Sequence, residues 1–329
     1  MTDVRGSTVP EPVLGAFGFD GATSTRFEHG VLNAHWLVER DAEKWVVGRH
    51  NPIKTRESVE WEQLLIGHAA REGWPVPVQL PTTDQQTSFK HDGAIWSAGK
   101  YLPGAWQETD TPAAMHIRGR LLARLHRDLA SFGIEGQRPD TGKTWELDAL
   151  IAPINAGSFN DLLRVFGQEY PELASLIRRE RYRSLRELAR LKYPDLPEMP
   201  IHGDFGRSNL LWQDGQLTGL LDFDQSRRDA LLCDIAPLFM PFMPLELPLA
   251  RALIEGYQSM RPLTDSEWDL LPALIRAALL WWLGFLLAQW RLVGGEPQGI
   301  ARTMTVRFPA FEAAEPAYRE LRRVAIKGS

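Results

Sequence analysis

The chain has 329 residues, of which 44% are hydrophobic and 24% charged, a composition typical of a globular protein with a sizeable core. Its net charge of −5 gives no reason to expect nucleic acid or a membrane as a partner. The single cysteine, Cys233, excludes an intramolecular disulfide framework. The N-terminus lacks a charged start followed by an apolar core, so no signal peptide is expected. We therefore expect a cytoplasmic protein.

The first hundred residues have the pattern of a small α+β unit. Turn residues at 41–44 separate two β-prone segments, which predicts adjacent antiparallel strands. Helically spaced apolar residues that stop at Gly73 predict a helix. The predicted elements are strands at 31–39 and 45–50, a helix at 55–72, and strands at 86–90 and 94–101.

A strong breakpoint follows at Leu102-Pro103-Gly104, and the pattern after it is mostly helical. We therefore expect one lobe at 1–101 and a second at 102–329, with a hinge at about 99–105.

An apolar run of 14 residues at 277–290 is too short to span a bilayer, which needs about 20 residues. We expect it to lie in a core helix spanning 264–293, after another helix at 249–260. The tail at 297–327 is predicted to be helical in pieces, because Pro309 and Pro316 interrupt it.

Three polar side chains, Asp204, Asn209 and Asp222, lie in the otherwise apolar stretch 201–224. The first two occur in HGDFGRSN, which fits the pattern H-x-D-x-x-x-x-N. That spacing matches the catalytic loop of phosphoryl-transfer enzymes, in which the aspartate accepts the proton of an attacking hydroxyl and the asparagine holds magnesium.

The residues after this loop predict a β-hairpin with Asp214-Gly215 as its two-residue turn, because this pair accepts the positive φ values that such turns need. With this turn Asn209 is expected opposite Leu220, and Asp222 is then its diagonal neighbour on the same face. An amide and a carboxylate roughly 7 Å apart can converge on one cation. Magnesium suits such oxygen ligands.

These elements predict an α+β, bilobal, protein-kinase-like fold. A small β-rich lobe with one helix precedes a larger, mainly helical lobe that carries the catalytic loop and the metal-binding hairpin. We expect a ligand to lie in the cleft between the lobes.

Two segments, HGDFGRSNLL and LLDFDQSRRDALLCDIA, resemble the HGD-x-x-x-x-N and I-D-F/W-D…D-x-A segments of the aminoglycoside phosphotransferase and choline kinase superfamily. This superfamily includes homoserine-kinase-like and fructosamine-kinase-like branches. Weaker likeness extends over GVLNAHWLVE, WVVGRHNP, EWEQLLIGHAAREGWPVP, KYLPG and LLARLH, in the expected order. The resemblance therefore covers about 30–237.

The resemblance implies ATP-dependent transfer of a γ-phosphoryl group to a hydroxyl of a small molecule. By position, Asp204 is similar to the residue that orients or deprotonates the hydroxyl, and Asn209 and Asp222 to the Mg²⁺ ligands. Asp224 is implied to help hold the metal site, and Asp234 to brace the catalytic loop. The N-terminal lobe would bind ATP and the C-terminal lobe the acceptor.

Kinase-like lobes also need a strand cation, paired with a helix carboxylate, that holds the phosphates. Alignment on the following Asn-Pro puts Gly48 at the expected basic position and Arg49 one step further on. A one-residue offset turns a side chain to the opposite face of the sheet. Either a bulge at Gly48 returns Arg49 to the site, with Glu62 or else Glu60 as its partner, or the cation is missing.

Two further residues are predicted to contact the nucleotide. Asn33 closes the segment His29-Gly30-Val31-Leu32-Asn33, which would cover the phosphates although it contains only one glycine. Tyr101 lies in the KYLPG segment at the expected hinge.

Gly48 at the expected basic position and the glycine-poor phosphate turn leave a rival interpretation open, in which the chain is a nucleotide-binding pseudokinase or scaffold. A metal-dependent hydrolase is a third alternative. An aminoglycoside, an amino alcohol and a hydroxy amino acid all fit as acceptors, and the sequence leaves the oligomeric state open.

Overall fold

A computed structural model of the protein describes residues 8–28, 33–51, 54–152, 157–242 and 246–326. By the packing of its Cα atoms the chain divides into two units. The first unit comprises Met1–Gln107, Arg138–Asp140 and Ser208–Asp224, and the second comprises Glu108–Gln137, Thr141–Arg207 and Gln225–Ser329. The first unit thus takes in two short segments from later in the chain, one of which carries the predicted metal ligands.

The N-terminal part of the chain contains most of the β structure. Its elements are α1 (Glu11–Ala16), β1 (Thr23–Arg26), β2 (Ala34–Arg40), β3 (Glu43–Arg49), α2 (Arg56–Arg71), β4 (Gln79–Leu80), β5 (Phe89–His91) and β6 (Ala94–Lys100). The strands predicted on either side of the turn at 41–44 are confirmed as β2 and β3.

Within the described residues, these six strands form one antiparallel sheet in the order β1-β2-β3-β6-β4, with β5 paired to β6. Trp36, Val47 and Trp96 lie on one face of the sheet, since alternate residues of a strand point to the same side. They pack in one core with Val13 and Leu14 of α1. This face is therefore closed by apolar side chains.

Helix α2 confirms the helix predicted at 55–72. Thr55 is its N-cap. The Thr55 hydroxyl oxygen accepts a hydrogen bond from the Ser58 N–H, and the Ser58 hydroxyl oxygen accepts one from the Thr55 N–H. This reciprocal capping satisfies two of the backbone donors that a helix start leaves unpaired. The helix positions Glu62, which is buried, on its second turn.

The C-terminal part of the chain is mainly helical, which confirms the α+β class. Its elements are α3 (Pro112–Leu129), α4 (Leu147–Ile151), α5 (Phe159–Phe166), α6 (Pro171–Arg190), β7 (Met199–Ile201), β8 (Leu210–Gln213), β9 (Gln216–Leu220), β10 (Arg227–Asp229), α7 (Leu232–Ile235), α8 (Leu247–Gln258), α9 (Asp265–Val293) and α10 (Gln298–Ile326). Strand β7 pairs with β10, and β8 pairs with β9.

Helices α3 and α8 of the second unit cross in close contact through two glycines. A Cβ added to Gly119 would lie 2.1 Å from a backbone oxygen of α8, and one added to Gly256 would lie 2.0 Å from a backbone oxygen of α3. Any larger residue would force the two backbones apart. This contact brings Tyr257 of α8 beside His126 of α3.

Helix α9 contains the apolar run at 277–290 and is longer than that run. Its residues Asp265–Leu292 are long and apolar enough to cross a membrane by composition, but 78% of the most apolar window is buried within the protein. The buried core helix that the sequence predicts is therefore confirmed.

The prediction that the tail is broken at its prolines is wrong, because α10 continues through both Pro309 and Pro316. A proline removes one backbone hydrogen bond from a helix. Buried Phe308, Phe311 and Tyr318 hold α10 in the core on both sides of these positions. Packing of this apolar face outweighs the loss.

Candidate active site

The hairpin that carries the predicted metal ligands forms with the expected turn but not with the expected register. Asp214 and Gly215 have φ values of 52° and 76°, and Gln213 pairs with Gln216. An irregularity between Leu211 and Trp212 then shifts the pairing by one residue. The prediction that Asn209 lies opposite Leu220 is therefore wrong, and Leu210 occupies that position instead.

The shift leaves Asn209 at the end of a short 3₁₀ turn, Arg207–Asn209, rather than inside a strand. Its carbonyl accepts the N–H of Leu221 at 2.8 Å, so Asn209 lies beside the residue that precedes Asp222. The Asn209 side chain is buried, whereas Asp222 is exposed and has a left-handed φ of 59°. The two oxygen-bearing side chains thus belong to adjacent backbone segments.

A buried lysine forms the centre of the charged site in the first unit. The Lys54 ammonium donates to Glu62 of α2 and, at 2.5 Å, to Oδ1 of Asp224. The Lys54 side chain is 2% exposed. This is the pairing of a cation with a helix carboxylate that kinase-like sites require, but the cation comes from the segment just before α2.

The expected pairing of Arg49 with Glu62 is therefore wrong. Strands β2, β3 and β6 pair without a register shift at Gly48, so no bulge turns Arg49 to the other face. Arg49 lies opposite Ala34 and Trp96 and shares the face covered by α1, because strand alternation places it with Val47.

Arg138 is a second buried cation at this site. Its Nη2 donates to the carbonyl oxygen of Asp224 at 2.7 Å, and its Nη1 donates to that of Phe223 at 3.4 Å. Its Nε donates to Asp140 at 2.7 Å, and Nη1 lies 3.7 Å from Glu62. Arg138 therefore fixes the backbone that follows Asp222 and also faces the carboxylate on α2.

We call Lys54, Glu62, Arg138, Asp140 and Asp224 the Lys54 cluster. With all five ionised, its two cations and three carboxylates leave one negative charge in excess. Several kcal/mol oppose the burial of each ion unless it is paired and hydrogen-bonded. Every member is paired, and the excess charge favours a bound cation nearby.

The pKa shifts in the Lys54 cluster show which groups stay charged. Burial alone would raise the pKa of Asp224, but Lys54 holds it well below its usual range through attraction and a hydrogen bond. Burial alone would likewise lower the pKa of Lys54, but Asp224 and Glu62 raise it above its usual value. Burial raises the pKa of Glu62 in spite of Lys54. Lys54 and Asp224 are therefore the firmly ionised pair.

Two histidines near the Lys54 cluster are kept neutral. Burial, with repulsion from Lys54, lowers the pKa of His50 to about 3, and His50 Nε2 lies 2.9 Å from the Ser97 hydroxyl. Burial also lowers the pKa of His35. A Cβ added to Gly48 would lie 3.1 Å from the His35 ring, so His35 fills the space at the position where a strand cation was sought.

The other predicted nucleotide-binding residues also lie in the first unit. Asn33 donates from Nδ2 to Oδ2 of Asp224 and accepts the Asn51 N–H at 2.9 Å, which attaches it to the Lys54 cluster. Residues 29–32 of the predicted phosphate-covering turn lie outside the described residues. Tyr101 follows β6, and its half-buried ring lies 5.9 Å from the Lys44 ammonium.

Asp204 belongs to the second unit and lies exposed on a loop that leaves β7. Gly203 has a φ of 82°, and a Cβ there would lie 2.2 Å from the Gln225 oxygen, so the loop needs glycine at this point. The Asp204 N–H donates to His202 Nδ1 at 3.2 Å. The loop thus presents the Asp204 carboxylate to solvent from a fixed backbone.

The buried Asp234 side chain holds the backbone of this loop in place. It accepts the N–H groups of His202 and Gly203, the first at 2.8 Å, and lies 3.0 Å from Nε2 of His126. Nδ1 of His126 lies 2.8 Å from the Tyr257 hydroxyl. Burial alone would raise the pKa of Asp234, but the hydrogen bond from His126 holds it below its usual value. The bracing by Asp234 that the resemblance implied is present in the structure.

Sequence reasoning missed Lys54 and Arg138. Lys54 lies immediately before the N-cap Thr55 and eight residues before Glu62, and this position in the sequence was its only available signal. Arg138 lies far in the chain from Glu62, Phe223 and Asp224, and no motif around it points to the Lys54 cluster.

Comparison with protein families and relatives agrees with this geometry. Residues 23–271 match the model of the phosphotransferase enzyme family. A homoserine kinase of Polaromonas naphthalenivorans is 31% identical over 269 residues, which are 78% of this chain and 79% of that protein. A homoserine kinase of Agrobacterium fabrum is 27% identical over 258 residues, which are 76% of this chain and 75% of that protein.

Solved structures share the fold at low sequence identity. An aminoglycoside phosphotransferase from Alicyclobacillus acidocaldarius superposes with a TM-score of 0.65 at 16% identity and covers 99% of both chains. A microcompartment-associated aminopropanol kinase superposes with a TM-score of 0.66 at 18% identity, over 94% of this chain and 97% of the other. An amicoumacin kinase in complex with AMP-PNP, Ca²⁺ and Ami gives a TM-score of 0.66 at 12% identity, over 90% of both chains. The protein-kinase-like fold predicted from the sequence is confirmed.

Proposed function

Since the chain belongs to the phosphotransferase enzyme family and is a small-molecule kinase, we propose that it moves the γ-phosphoryl group of ATP to a hydroxyl with the help of Mg²⁺. The observation that carries this proposal is the buried Lys54, which is held between Glu62 and Asp224. A cation fixed in this way is what kinase-like sites use to hold the phosphates of a nucleotide.

The donor set fits a magnesium ion. Asn209 and Asp222 offer an amide oxygen and an exposed carboxylate, and Mg²⁺ takes such oxygen ligands together with substrate phosphates. Both carboxylate oxygens of Asp224 accept hydrogen bonds, from Lys54 and from Asn33, so Asp224 supports the site by orienting Lys54. Its role as a third ligand stays a prediction. When bound, the metal would neutralise charge on the phosphates.

Asp204 is proposed to orient the acceptor hydroxyl and to take its proton as the new bond to phosphorus forms. For this task the Asp204 carboxylate must point in a fixed direction. The hydrogen bonds that the His202 and Gly203 N–H groups donate to Asp234 hold the loop in place and so fix that direction. Lys54 is proposed to hold the α- and β-phosphates in place of Arg49, which shares the sheet face covered by α1. Asn33 and Tyr101 remain proposed contacts of the same nucleotide.

The acceptor is proposed to be a hydroxy amino acid of the homoserine class. The relatives described above that match by sequence are homoserine kinases, whereas the antibiotic kinases share only the fold. We place the enzyme in the cytoplasm, where ATP is available and where the buried thiol of Cys233 stays reduced.

The test is a coupled assay of ADP release with L-homoserine, amino alcohols and aminoglycosides as acceptors. Asp204→Asn should lower kcat by about 1,000-fold, since a positioned base contributes about 10²–10⁴-fold, and should leave the affinity for Mg-ATP in isothermal titration within threefold. ATP binding without ADP release from any acceptor would favour the scaffold alternative instead.

A second arm tests the metal site. Asp222→Asn should raise the Mg²⁺ concentration needed for the half-maximal rate by about 10–100-fold, because a charged ligand is replaced by a neutral one. Asp214→Asn, in the hairpin turn, is the matched control and should leave this concentration unchanged. Equal Mg²⁺ requirements of the two variants would remove Asp222 from the metal site.

A further inference from the structure

Arg227 of β10 is a buried arginine, and each of its three guanidinium nitrogens donates a hydrogen bond. Nε donates to Asp229 at 3.2 Å, Nη1 to the carbonyl oxygen of Gln225 at 2.9 Å, and Nη2 to the Thr144 hydroxyl at 2.7 Å. The centre of the Trp281 ring on α9 lies 5.1 Å from the guanidinium carbon. These contacts hold the planar group in one orientation.

The counter-charge of Arg227 is Asp229, which is buried on the same strand. Asp229 also accepts the N–H and the hydroxyl of Thr144, at 3.0 and 2.9 Å, and the hydroxyl of Tyr193. Burial alone would lower the pKa of Arg227, but the charge of Asp229 raises it, so the guanidinium stays charged. Arg227 is only 2% exposed. Any role of Arg227 in the reaction must therefore act through other residues.

The guanidinium group contacts the loop that carries Asp204. A Cβ added to Gly203 would lie 2.9 Å from Nη1 of Arg227 and 2.2 Å from the Gln225 carbonyl oxygen that accepts the hydrogen bond of Nη1. The backbone of Gly203 therefore packs directly against this hydrogen bond. Strand pairing leads to the same contact, because Arg227 pairs with Ile201, two residues before Gly203.

Two buried side chains thus fix the residue that precedes Asp204. Asp234 accepts the N–H of Gly203, whereas Arg227 and the Gln225 carbonyl contact its Cα. A single hydrogen bond fixes one point of the backbone and leaves rotation about that point. The second contact restricts this rotation. The direction in which the Asp204 side chain leaves the backbone depends on both contacts.

We propose that Arg227 is a positioning residue for phosphoryl transfer, which holds the turn at Gly203 so that the Asp204 carboxylate points at the acceptor hydroxyl. This inference rests on the function proposed above for Asp204. A misplacement of about 1 Å at a reacting centre can lower the rate by about 100-fold. Loss of the Arg227 contact should therefore lower kcat and leave the binding of ATP and of the acceptor nearly unchanged.

The test is a double-mutant cycle of Arg227→Lys and Asp204→Ala, followed by steady-state ADP release with L-homoserine. Lysine keeps the charge beside Asp229 but cannot donate in three fixed directions. Arg227→Lys should lower kcat by about 10–100-fold and leave KM for ATP and for homoserine within about threefold. In the Asp204→Ala enzyme the same change should alter the residual kcat by less than about threefold, because the carboxylate that Arg227 positions is absent.

Two further variants keep the test decisive. Arg228→Lys changes the next residue of β10, whose guanidinium donates to the carbonyls of Ile134 and Glu198, and should leave kcat within about threefold. Thr144→Val removes the hydroxyl that accepts from Nη2 and keeps its shape, so kcat should fall by about 3–10-fold with the same dependence on Asp204. The melting temperature of each variant shows whether it folds, and Thr144→Val carries the test if Arg227→Lys does not fold.

Three results would overturn the positioning role. Equal fold-losses of kcat with and without the Asp204 carboxylate would make Arg227 a residue that supports the fold alone. A rise in KM without a fall in kcat would place Arg227 behind a binding surface, and an unchanged kcat in Arg227→Lys would leave it without any role in the reaction. The proposed function fails instead, and the positioning role with it, if the unaltered enzyme phosphorylates no alcohol or if Asp204→Ala keeps the full kcat.

Discussion

Two segments that carry proposed functional residues, one in each unit, are each held by a buried charged residue, but the two residues have opposite charge. In the second unit Asp234 accepts backbone N–H groups of the loop before Asp204. In the first unit Arg138 donates to backbone carbonyls of the turn after Asp222. Both interactions fix the backbone rather than a side chain. They therefore set the backbone positions from which the side chains of Asp204 and Asp222 extend.

The surroundings of the two holding residues differ. Asp234 contacts His126 and the backbone of the Asp204 loop, all of which belong to the second unit. Arg138 also faces Glu62 and Asp140 in a cluster with excess negative charge. We infer that Asp234 mainly supports folding of its unit, whereas Arg138 mainly sets the geometry of a site whose charge changes when ligands bind.

Breaking the bonds of Asp234 should have the largest effect. Asp234→Ala leaves two buried backbone donors and one histidine without their acceptor, so the free energy of unfolding should fall by about 3–5 kcal/mol. The same variant should lose nearly all activity, because the Asp204 loop is no longer fixed. Urea unfolding followed by circular dichroism measures the first effect, and ADP release the second.

Tyr257→Phe is the graded control for this change. It removes only the hydroxyl next to His126, so the free energy of unfolding should fall by about 1 kcal/mol. A loss in Asp234→Ala no larger than that in Tyr257→Phe would contradict the structural role of Asp234.

Breaking the bonds of Arg138 should affect catalysis more than nucleotide binding. Arg138→Met removes the donors to the Phe223 and Asp224 carbonyls, so the backbone next to Asp222, a proposed metal ligand, is no longer fixed. We expect kcat to fall by about 100-fold, because small misplacements at a reacting centre are costly, with less than a fivefold change in KM for ATP. Arg138→Lys should recover part of the loss, because an ammonium group reaches one of the two carbonyls.

Arg228→Met is the matched control, since Arg228 also donates to two backbone carbonyls, those of Ile134 and Glu198, both in the second unit. It should leave kcat within threefold. If kcat fell as far in Arg228→Met as in Arg138→Met, the loss would be a general effect of removing an arginine that binds backbone carbonyls. Arg138 would then have no specific role in the geometry of the site.

The same two segments show how far the sequence could predict the site. The loop of Asp204 and the hairpin turn at Asp214-Gly215 were predictable, because each depends on residues only a few positions apart. Even there the register was wrong by one residue, because the irregularity at Leu211 and Trp212 depends on packing that no local pattern specifies.

The cation that we propose to bind the phosphates was sought at the wrong position for a related reason. A strand pattern fixes which face Arg49 occupies only if the register is regular, and here it is regular, so Arg49 faces α1. Lys54 and Arg138 reach the site through contacts between residues distant in sequence, such as Lys54 with Asp224. A single sequence carries no signal for such contacts.

The smallest but most specific expected effect is a difference in pH dependence: the stability contributions of His50, near the Lys54 cluster, and of Asp234 should be lost in different pH ranges. In the unfolded chain His50 takes up a proton below about pH 6.5, whereas in the folded protein its pKa is about 3. The unfolded state therefore binds more protons between these values, and the contribution of His50 to stability falls as the pH falls. Asp234 has a lowered pKa, so its contribution is present above about pH 3.9 and is lost only below that.

Between pH 7 and pH 5 the contributions of His50 and of His35, whose pKa values are both lowered by burial, should change, whereas that of Asp234 should not. His50→Gln keeps a polar partner for Ser97 but does not titrate, so its free energy of unfolding should improve relative to the unaltered protein by about 1–2 kcal/mol on going from pH 7 to pH 5. For Asp234→Asn the difference from the unaltered protein should stay constant over this range. An unchanged difference for His50→Gln would mean that His50 is not held neutral beside Lys54, and acid would then not distinguish the two segments.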